Sequence, residues 1–454
     1  MSGTSRLTRR NFGRHVGMGL AALGLSGCGD MRGPMIAGAS EARTPAPLTD
    51  DLRPTSNSGY DAWVASFRAR AGGYGISDST LAVGFRGTGF LPGVVKRDRN
   101  QTEFTRTLED YLSIAASDER ITKGRAAYAR HAATLNALED RYGVEAHVIT
   151  AIWGLESFYG ERRGNVPVIS ATSTLAYDGR RGAFFEKQLV AALKIIQNGD
   201  IDATRMLGSW AGAMGHTQFI PTSYELFAVD YTGDGRRDIW SEDPSDALAS
   251  TAAYLAKSGW TRGVKWGREL APGEAADGTV IEPQVGGPRF AVTGNFRAIK
   301  RYNNSDAYAI GVGHLSDRIA GAGPLKGAFP PDATGLTKKD RVALQSRLTA
   351  KGFDTDGTDG VIGPNTRRDQ RISDQSRYAR HRRAVGRVAS QPAVKLFLAL
   401  RVIHAPSLSA KRRTKCKRER AFQQLRHVVG LAVVQTRGAW RLAFSYPTPR
   451  KAAA

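Results

Sequence analysis

The stretch Ala151-Ile-Trp-Gly-Leu-Glu-Ser-Phe-Tyr-Gly160 decides how this chain is read. Together with Ile149, it sets Ile152, Trp153 and Glu156 at the i, i+3, i+4, i+7 spacing that turns one helix face inward. Glu156 therefore stands where a core leucine is expected. Burial disfavours the charged form of a carboxyl group. A carboxyl kept neutral near pH 7 is what a general acid for glycosidic cleavage requires. The alternative is a glutamate that reaches the helix edge and forms a salt bridge, and this segment alone does not separate the two.

About fifty residues on, Gly208-Ser-Trp-Ala-Gly-Ala-Met-Gly-His-Thr-Gln-Phe-Ile-Pro221 packs small residues around Ser209 and Gln218. Glycine and alanine let backbone approach a ligand or a neighbouring segment closely. A hydroxyl and an amide then stand available for sugar hydroxyls or an acetamido group. Taken together, the two segments resemble the catalytic core of lytic murein transglycosylases of the membrane-bound type B family. The resemblance extends through Ser223-Tyr224, the run from Ala228 to Gly235, Asp246 to Ser250, Tyr254, Gly259-Trp260 and Arg301 to Ser305. It covers roughly residues 58–325 and implies a mainly α, lysozyme-like catalytic domain over 59–325.

The resemblance also implies a mechanism. Glycosidases commonly use two carboxylates, yet no second acid sits at an obvious partner position here, and Glu161 lies five places along the helix. Glu156 is expected to protonate the oxygen between MurNAc and GlcNAc. It would then act as base on the MurNAc 6-hydroxyl, closing a 1,6-anhydro ring. Ser209 and Gln218 match residues lining the cleft. Tyr254, Tyr302, Asn303 and Tyr308 match positions for sugar stacking and hydrogen bonding, although a tyrosine at helical spacing is often core. Tyr111 matches an active-site tyrosine on spacing alone. Arg180 and Arg181, after Tyr177-Asp178-Gly179, match a paired arginine suited to stem-peptide or lactyl carboxylates, the alternative being a solvated charged turn.

Asp230-Tyr-Thr-Gly-Asp-Gly-Arg-Arg-Asp238 resembles the start of an EF-hand loop, with Asp230, Thr232, Asp234 and the Arg236 backbone at ligand positions. Position 12 is Ser241 rather than a bidentate acid, so Glu242, Asp243 or Asp246 would have to close a calcium site. The bland reading is a metal-free Asp-Gly turn. No cofactor is required for the chemistry, and any calcium would be structural.

The ends carry addresses and a break in pattern. Thr8-Arg-Arg-Asn-Phe12 resembles a twin-arginine export signal, and Val16 to Leu25 is an apolar run too short to span a bilayer. Leu25-Ser-Gly-Cys28 looks like a lipobox, in which Cys28 is acylated; Gly29 follows, with no aspartate to favour inner-membrane retention. Residues 1–28 thus read as a signal peptide and 29–58, rich in Gly, Pro, Ala and Ser, as a flexible linker. The expected location is the periplasm, anchored by lipid and placed at the outer membrane. The remaining cysteine, Cys416, gives no disulfide framework.

A second module begins near Thr334. Leu344-Gln-Ser-Arg-Leu348, Gly352-Phe353 and Asp359-Gly-Val-Ile-Gly-Pro-Asn-Thr-Arg367 resemble a small three-helix peptidoglycan-binding domain, partial over 334–368. The family pattern is lost from Arg368, where an arginine-rich, acid-poor, aperiodic text begins. A frameshift near residue 368 is one expectation. A genuine basic tail that grips anionic wall polymers or lipid headgroups is the other, so 369–454 reads as an aberrant or disordered tail. The net charge of +23 over 454 residues invites a nucleic-acid reading. However, Arg371 to Ala454 holds 20 Lys/Arg against 2 Asp/Glu, leaving about +5 for the rest. The charge belongs to the tail, and no nucleic-acid partner is expected. The expected partners are peptidoglycan glycan strands and a membrane, for a monomeric enzyme. Competing readings are a hydrolytic muramidase and a wall-binding protein whose catalysis has decayed.

Overall fold

The computed structural model describes residues 47–100, 107–332, 335–355, 357–361, 433–436 and 439–442. The export signal, Cys28, Cys416 and the pattern break near residue 368 lie outside these residues. Fourteen α-helices are described: α1 Ser58–Ala71, α2 Asp78–Gly84, α3 Pro92–Arg99, α4 Leu108–Ala115, α5 Asp118–Arg130, α6 Ala132–Tyr142, α7 Ala146–Ser157, α8 Val168–Asp178, α9 Gly182–Gln197, α10 Pro221–Phe227, α11 Ser245–Lys257, α12 Gly294–Tyr302, α13 Asp306–Ile319 and α14 Lys338–Thr349. The fold is mainly α and lysozyme-like, as the sequence implies. Among the described residues no helix is long and apolar enough to cross a membrane.

Side-chain caps start many of these helices. Asn57, Ser77, Thr107, Ser117 and Ser305 each accept a backbone N–H from the first turn of the helix that follows. Left-handed Gly143 and Gly179 end α6 and α8. Helix α7 is buried on nearly every side and packs against α5, α6, α11 and α13. The spacing argument holds on its inner stripe, where Ile149, Ile152 and Trp153 are buried and Glu156 is half-buried.

The small strands place loops rather than form a core. β1 Val166–Pro167 pairs antiparallel with β2 Leu207–Gly208, bringing the start of the glycine-rich block beside the segment after α7. β3 Gly267–Glu269, β4 Thr279–Ile281 and β5 Phe290–Val292 make a sheet of order β3-β5-β4 between α11 and α12. In the second unit of the chain, β6 Val433–Thr436 and β7 Ala439–Leu442 form an antiparallel hairpin.

Two features depart from the sequence pattern. Its periodicity predicts one long amphipathic stretch from Arg120 to Tyr142, but the structure divides it into α5 and α6 where His131 leaves the helix and its ring meets Trp153 edge-on at 5.4 Å. Residues 50–57, expected within the flexible linker, are anchored. A short 3₁₀ turn buries Leu52, Thr55 bridges to Phe90, and Arg97 pairs with Asp51 at 2.6 Å.

Candidate active site

Glu156 lies in the last turn of α7, and its Oε1 accepts a hydrogen bond from the Tyr308 hydroxyl at 2.5 Å. Burial pushes the Tyr308 phenol well above its ordinary range and the neighbouring Glu156 adds to the shift, so Tyr308 donates and does not ionise. Tyr302 stacks on Tyr308 with ring centres 6.5 Å apart and planes 11° from parallel. Tyr254 in turn meets Tyr302 at 4.8 Å. These phenols reach back to the scaffold: Tyr302 donates to the Thr217 carbonyl at 2.6 Å and Tyr254 to that of Arg301 at 2.5 Å. Burial carries Tyr254 up to about 12.

This arrangement corrects the stacking expectation for Tyr254 and Tyr308. Both are buried, and the Tyr254 ring is surrounded by Phe219, Phe227 and Tyr302. They wall the site rather than offer open ring faces. Tyr302 is half-buried in the same array, and Asn303 is buried where α12 ends. Tyr111 on α4 lies against α13, where a Cβ on Gly311 would come 2.8 Å from its Cε1 and 3.5 Å from Leu155 Cδ2.

The glycine-rich block folds back on itself through bridges Gly208↔Met214 and Met214↔Phe219. Ser209 Oγ accepts the backbone N–H groups of Ala211 and Ala213, at 3.3 and 3.1 Å, so it closes this loop. Gln218 takes a left-handed backbone (φ 51°), and its Nε2 donates to the carbonyls of Arg163 and Gly215 at 3.0 and 2.8 Å. A Cβ on Gly208 would meet the Ala213 carbonyl, which is why the close approach needs glycine there.

Directly after Glu156 the chain bends sharply. Phe158 and Tyr159 both have positive φ, at 53° and 61°, and Gln218 is the other described non-glycine residue of this kind. Such conformations persist only where surroundings enforce them. Here Arg120, Lys123 and Arg162 surround the Phe158 ring, at 5.1, 4.4 and 4.4 Å from its centre. The Tyr159 hydroxyl donates to the Arg120 carbonyl at 2.7 Å. Ser157 Oγ donates to the His216 carbonyl at 2.5 Å, tying the bend to the glycine-rich block. Burial, aided by Arg163, lowers the His216 imidazole to about 4. It is therefore neutral, with Nε2 donating to the Ser241 carbonyl and Nδ1 accepting from Trp153 Nε1 at 3.1 Å. Sequence reasoning missed this whole clasp. The one available hint was Gly160, which permits the end of the bend (φ 88°).

Arg180 and Arg181 converge on Asp98, a carboxylate 2% exposed. Arg180 Nε binds Asp98 Oδ2 at 2.6 Å and Nη2 its carbonyl at 2.7 Å, while Arg181 binds Oδ1. In this structure the pair joins α3 to the α8–α9 turn, and Arg180 stays 48% exposed beside Asp98. Asp230, Asp234 and Asp246 come together, with carboxylate oxygens within 4.8 Å of one another. Asp246 reaches back from α11 to accept the N–H groups of Tyr231, Thr232 and Asp238. Burial, with Asp230 nearby, raises its carboxyl above the usual range.

A lysozyme-like helical domain with a tyrosine-supported glutamate at the end of its central helix defines a class of glycan-cleaving folds. Residues 59–285 and 271–317 match the sequence profile of the transglycosylase SLT domain, and the chain belongs to that family. It is 33% identical over 218 residues to membrane-bound lytic murein transglycosylase B of Escherichia coli K12, a match spanning 41% of this chain and 60% of that enzyme. SltB3 of Pseudomonas aeruginosa, solved in complex with NAG-NAM-pentapeptide, is 43% identical with a TM-score of 0.58, covering 70% of this chain and 94% of that one. Soluble lytic transglycosylase SltB1 from the same organism is 31% identical with a TM-score of 0.52, covering 57% and 98%.

Proposed function

We propose that this chain is a lytic transglycosylase that cleaves the MurNAc-β-1,4-GlcNAc bond of peptidoglycan, with Glu156 acting first as acid and then as base. The Tyr308 hydrogen bond to Glu156 carries this reading. Because Oε1 accepts from Tyr308, the proton of the acid form belongs on Oε2, which fixes the donating oxygen. Glu156 gives that proton to the glycosidic oxygen as the C1–O bond breaks. The substrate's 2-acetamido oxygen meets the positive charge left at C1. Carboxylate Glu156, again receiving the Tyr308 hydrogen bond, takes the proton of the MurNAc 6-hydroxyl, and that oxygen attacks C1 to close the 1,6-anhydro ring. One proton is lent and recovered, and no water is consumed.

The neighbouring acids support a single-carboxylate scheme. Glu161 binds Lys123 at 2.8 Å, Glu145 accepts from Trp260 Nε1 at 2.7 Å, and Glu139 accepts the Ala146 N–H at 2.8 Å. In this reading Ser209 and Gln218 hold the cleft wall through their loop bonds, Tyr302 and Asn303 border the sugar site, and Arg180 and Arg181, net positive beside Asp98, would meet stem-peptide or lactyl carboxylates. The test is mass spectrometry of peptidoglycan digested by the full chain. Muropeptides ending in 1,6-anhydroMurNAc, absent with Glu156→Gln, are expected. Reducing MurNAc ends would assign a hydrolytic muramidase, and wall binding without products a scaffold role.

Three further assignments belong to the same proposal. Calcium fits the 230–246 loop, where Asp230, Thr232, Asp234, the Arg236 backbone and Asp246 would hold it as a structural ion. Acylated Cys28 would anchor a monomeric enzyme in the periplasm, at the outer membrane; palmitate labelling lost in Cys28→Ser tests this. The 334–368 segment would contribute part of a wall-binding surface.

A further inference from the structure

The segment after the catalytic domain is built into it through one buried arginine. Helix α14 begins with a capping box, Thr337 and Asp340 exchanging bonds, which sets Arg341 on its first turn facing α4. The Arg341 side chain is 2% exposed. Its Nη2 binds Glu109 Oε2 at 2.9 Å and Asp110 Oδ1 at 2.8 Å, Nη1 reaches Asp332 at 3.5 Å and the Leu336 carbonyl at 3.2 Å, and Nε donates to the Gly360 carbonyl at 2.6 Å. Every guanidinium nitrogen is thus engaged, which a lysine ammonium does not reproduce in the same fork geometry.

Glu109 and Asp110 form the acidic first turn of α4, and the next residue is Tyr111. The Tyr111 ring lies against Gly311 of α13, one turn beyond Tyr308, and beside Leu155, the neighbour of Glu156. Tyr111 also bears on the Tyr308 phenol, contributing to its upward shift.

We infer that Arg341 is a positioning residue for the transglycosylase reaction: by clamping the first turn of α4 it holds Tyr111 against the helix that presents Tyr308 to Glu156. Residues 335–355 and 357–361 are therefore a brace of the active site as well as a piece of wall-binding module. The inference rests on the proposed function for its kinetic readout and is independent of it for its structural one.

The experiment uses the full chain with Arg341→Met and Arg341→Lys, measuring kcat and KM on peptidoglycan and hydrogen exchange of the α4 amides. Arg341→Met is expected to lower kcat about tenfold with KM within about twofold, as expected when contacts felt only in the transition state are lost. Arg341→Lys, which can keep an ion pair to Glu109 or Asp110 but not the whole fork, is expected to fall between wild type and the Met variant, with kcat about threefold below wild type. Exchange across residues 108–115 should quicken at least about tenfold in the Met variant. If Arg341→Met does not fold, Arg341→Met/Glu109→Gln/Asp110→Asn removes the excess charge, and the same loss of kcat and faster exchange are expected of it. Unchanged kcat with unchanged exchange overturns the inference, as does an equal loss in the Lys and Met variants tracking melting temperature alone. A wild-type chain without products overturns the functional reading, and the exchange measurement then decides on the brace alone.

Discussion

The Tyr308 hydroxyl donates to Glu156 Oε1 at 2.5 Å across a sequence separation of 152 residues. A hydrogen bond to a charged group contributes about 1.5–3 kcal/mol. Tyr308→Phe keeps the ring stack on Tyr302 and removes the donor. We expect kcat to fall about 10- to 100-fold with little change in KM. The limb of the pH–rate profile that reports loss of the acid's proton should move to higher pH, since the charged form loses a donor. Steady-state turnover of soluble glycan chains across pH checks both.

Gly154 is one turn before the bend, and a Cβ there would lie 2.5 Å from Tyr159 Cζ and 2.6 Å from its hydroxyl. The ring cannot swing away cheaply, because its hydroxyl is held by the Arg120 carbonyl and also abuts Gly124. Gly154→Ala should therefore cost about 1–3 kcal/mol through overpacking, despite alanine's better helix propensity. Urea denaturation measures this, and a stabilised variant would contradict the clasp.

Calcium should stabilise the chain by binding the folded loop. At a free concentration 100 times Kd the gain is about 2.7 kcal/mol. A calcium-dependent rise in melting temperature is expected, lost in Asp246→Asn and reversed by chelator. No calcium dependence in the wild-type chain would leave the loop as a hydrogen-bonded turn.

His216 and His314 are both lowered to about 4 by burial, from an ordinary value of 6.5. Between these values the unfolded chain binds more protons than the folded one, so stability rises with pH there and falls as pH drops from about 6.5 toward 4. Each site contributes on the order of 3 kcal/mol to that loss at full protonation. Melting temperatures measured from pH 7 to pH 4 should fall more steeply than in a His216→Gln/His314→Gln variant.

Much of this was legible in the sequence where local patterns decide. The boundaries of α11 and the inward stripe of α7 follow directly from periodicity. Helix α13 was harder to see because Gly311 and Gly313 weaken its pattern. The structure shows why they are there: a Cβ at 311 would strike Tyr111 and one at 313 would strike Trp266. The break at His131 has no proline or glycine to announce it and follows from a tertiary ring contact. The Arg180–Arg181 pair was identified as a unit, but its partner Asp98 lies 82 residues upstream of Arg180, a pairing no local spacing encodes. For the turn that begins at Asp230 the sequence left three candidate acids, and of these folding brings Asp246 of α11 within 4.8 Å of Asp230 and Asp234.

The span between Glu156 and Tyr308 has a consequence for the order of synthesis. A chain released before Asp306 carries its glutamate but neither the phenol nor the helix that presents it. On the proposed mechanism, fragments from interrupted translation or early proteolysis are expected not to cleave the wall, because the hydrogen-bonded pair forms only when α13 docks.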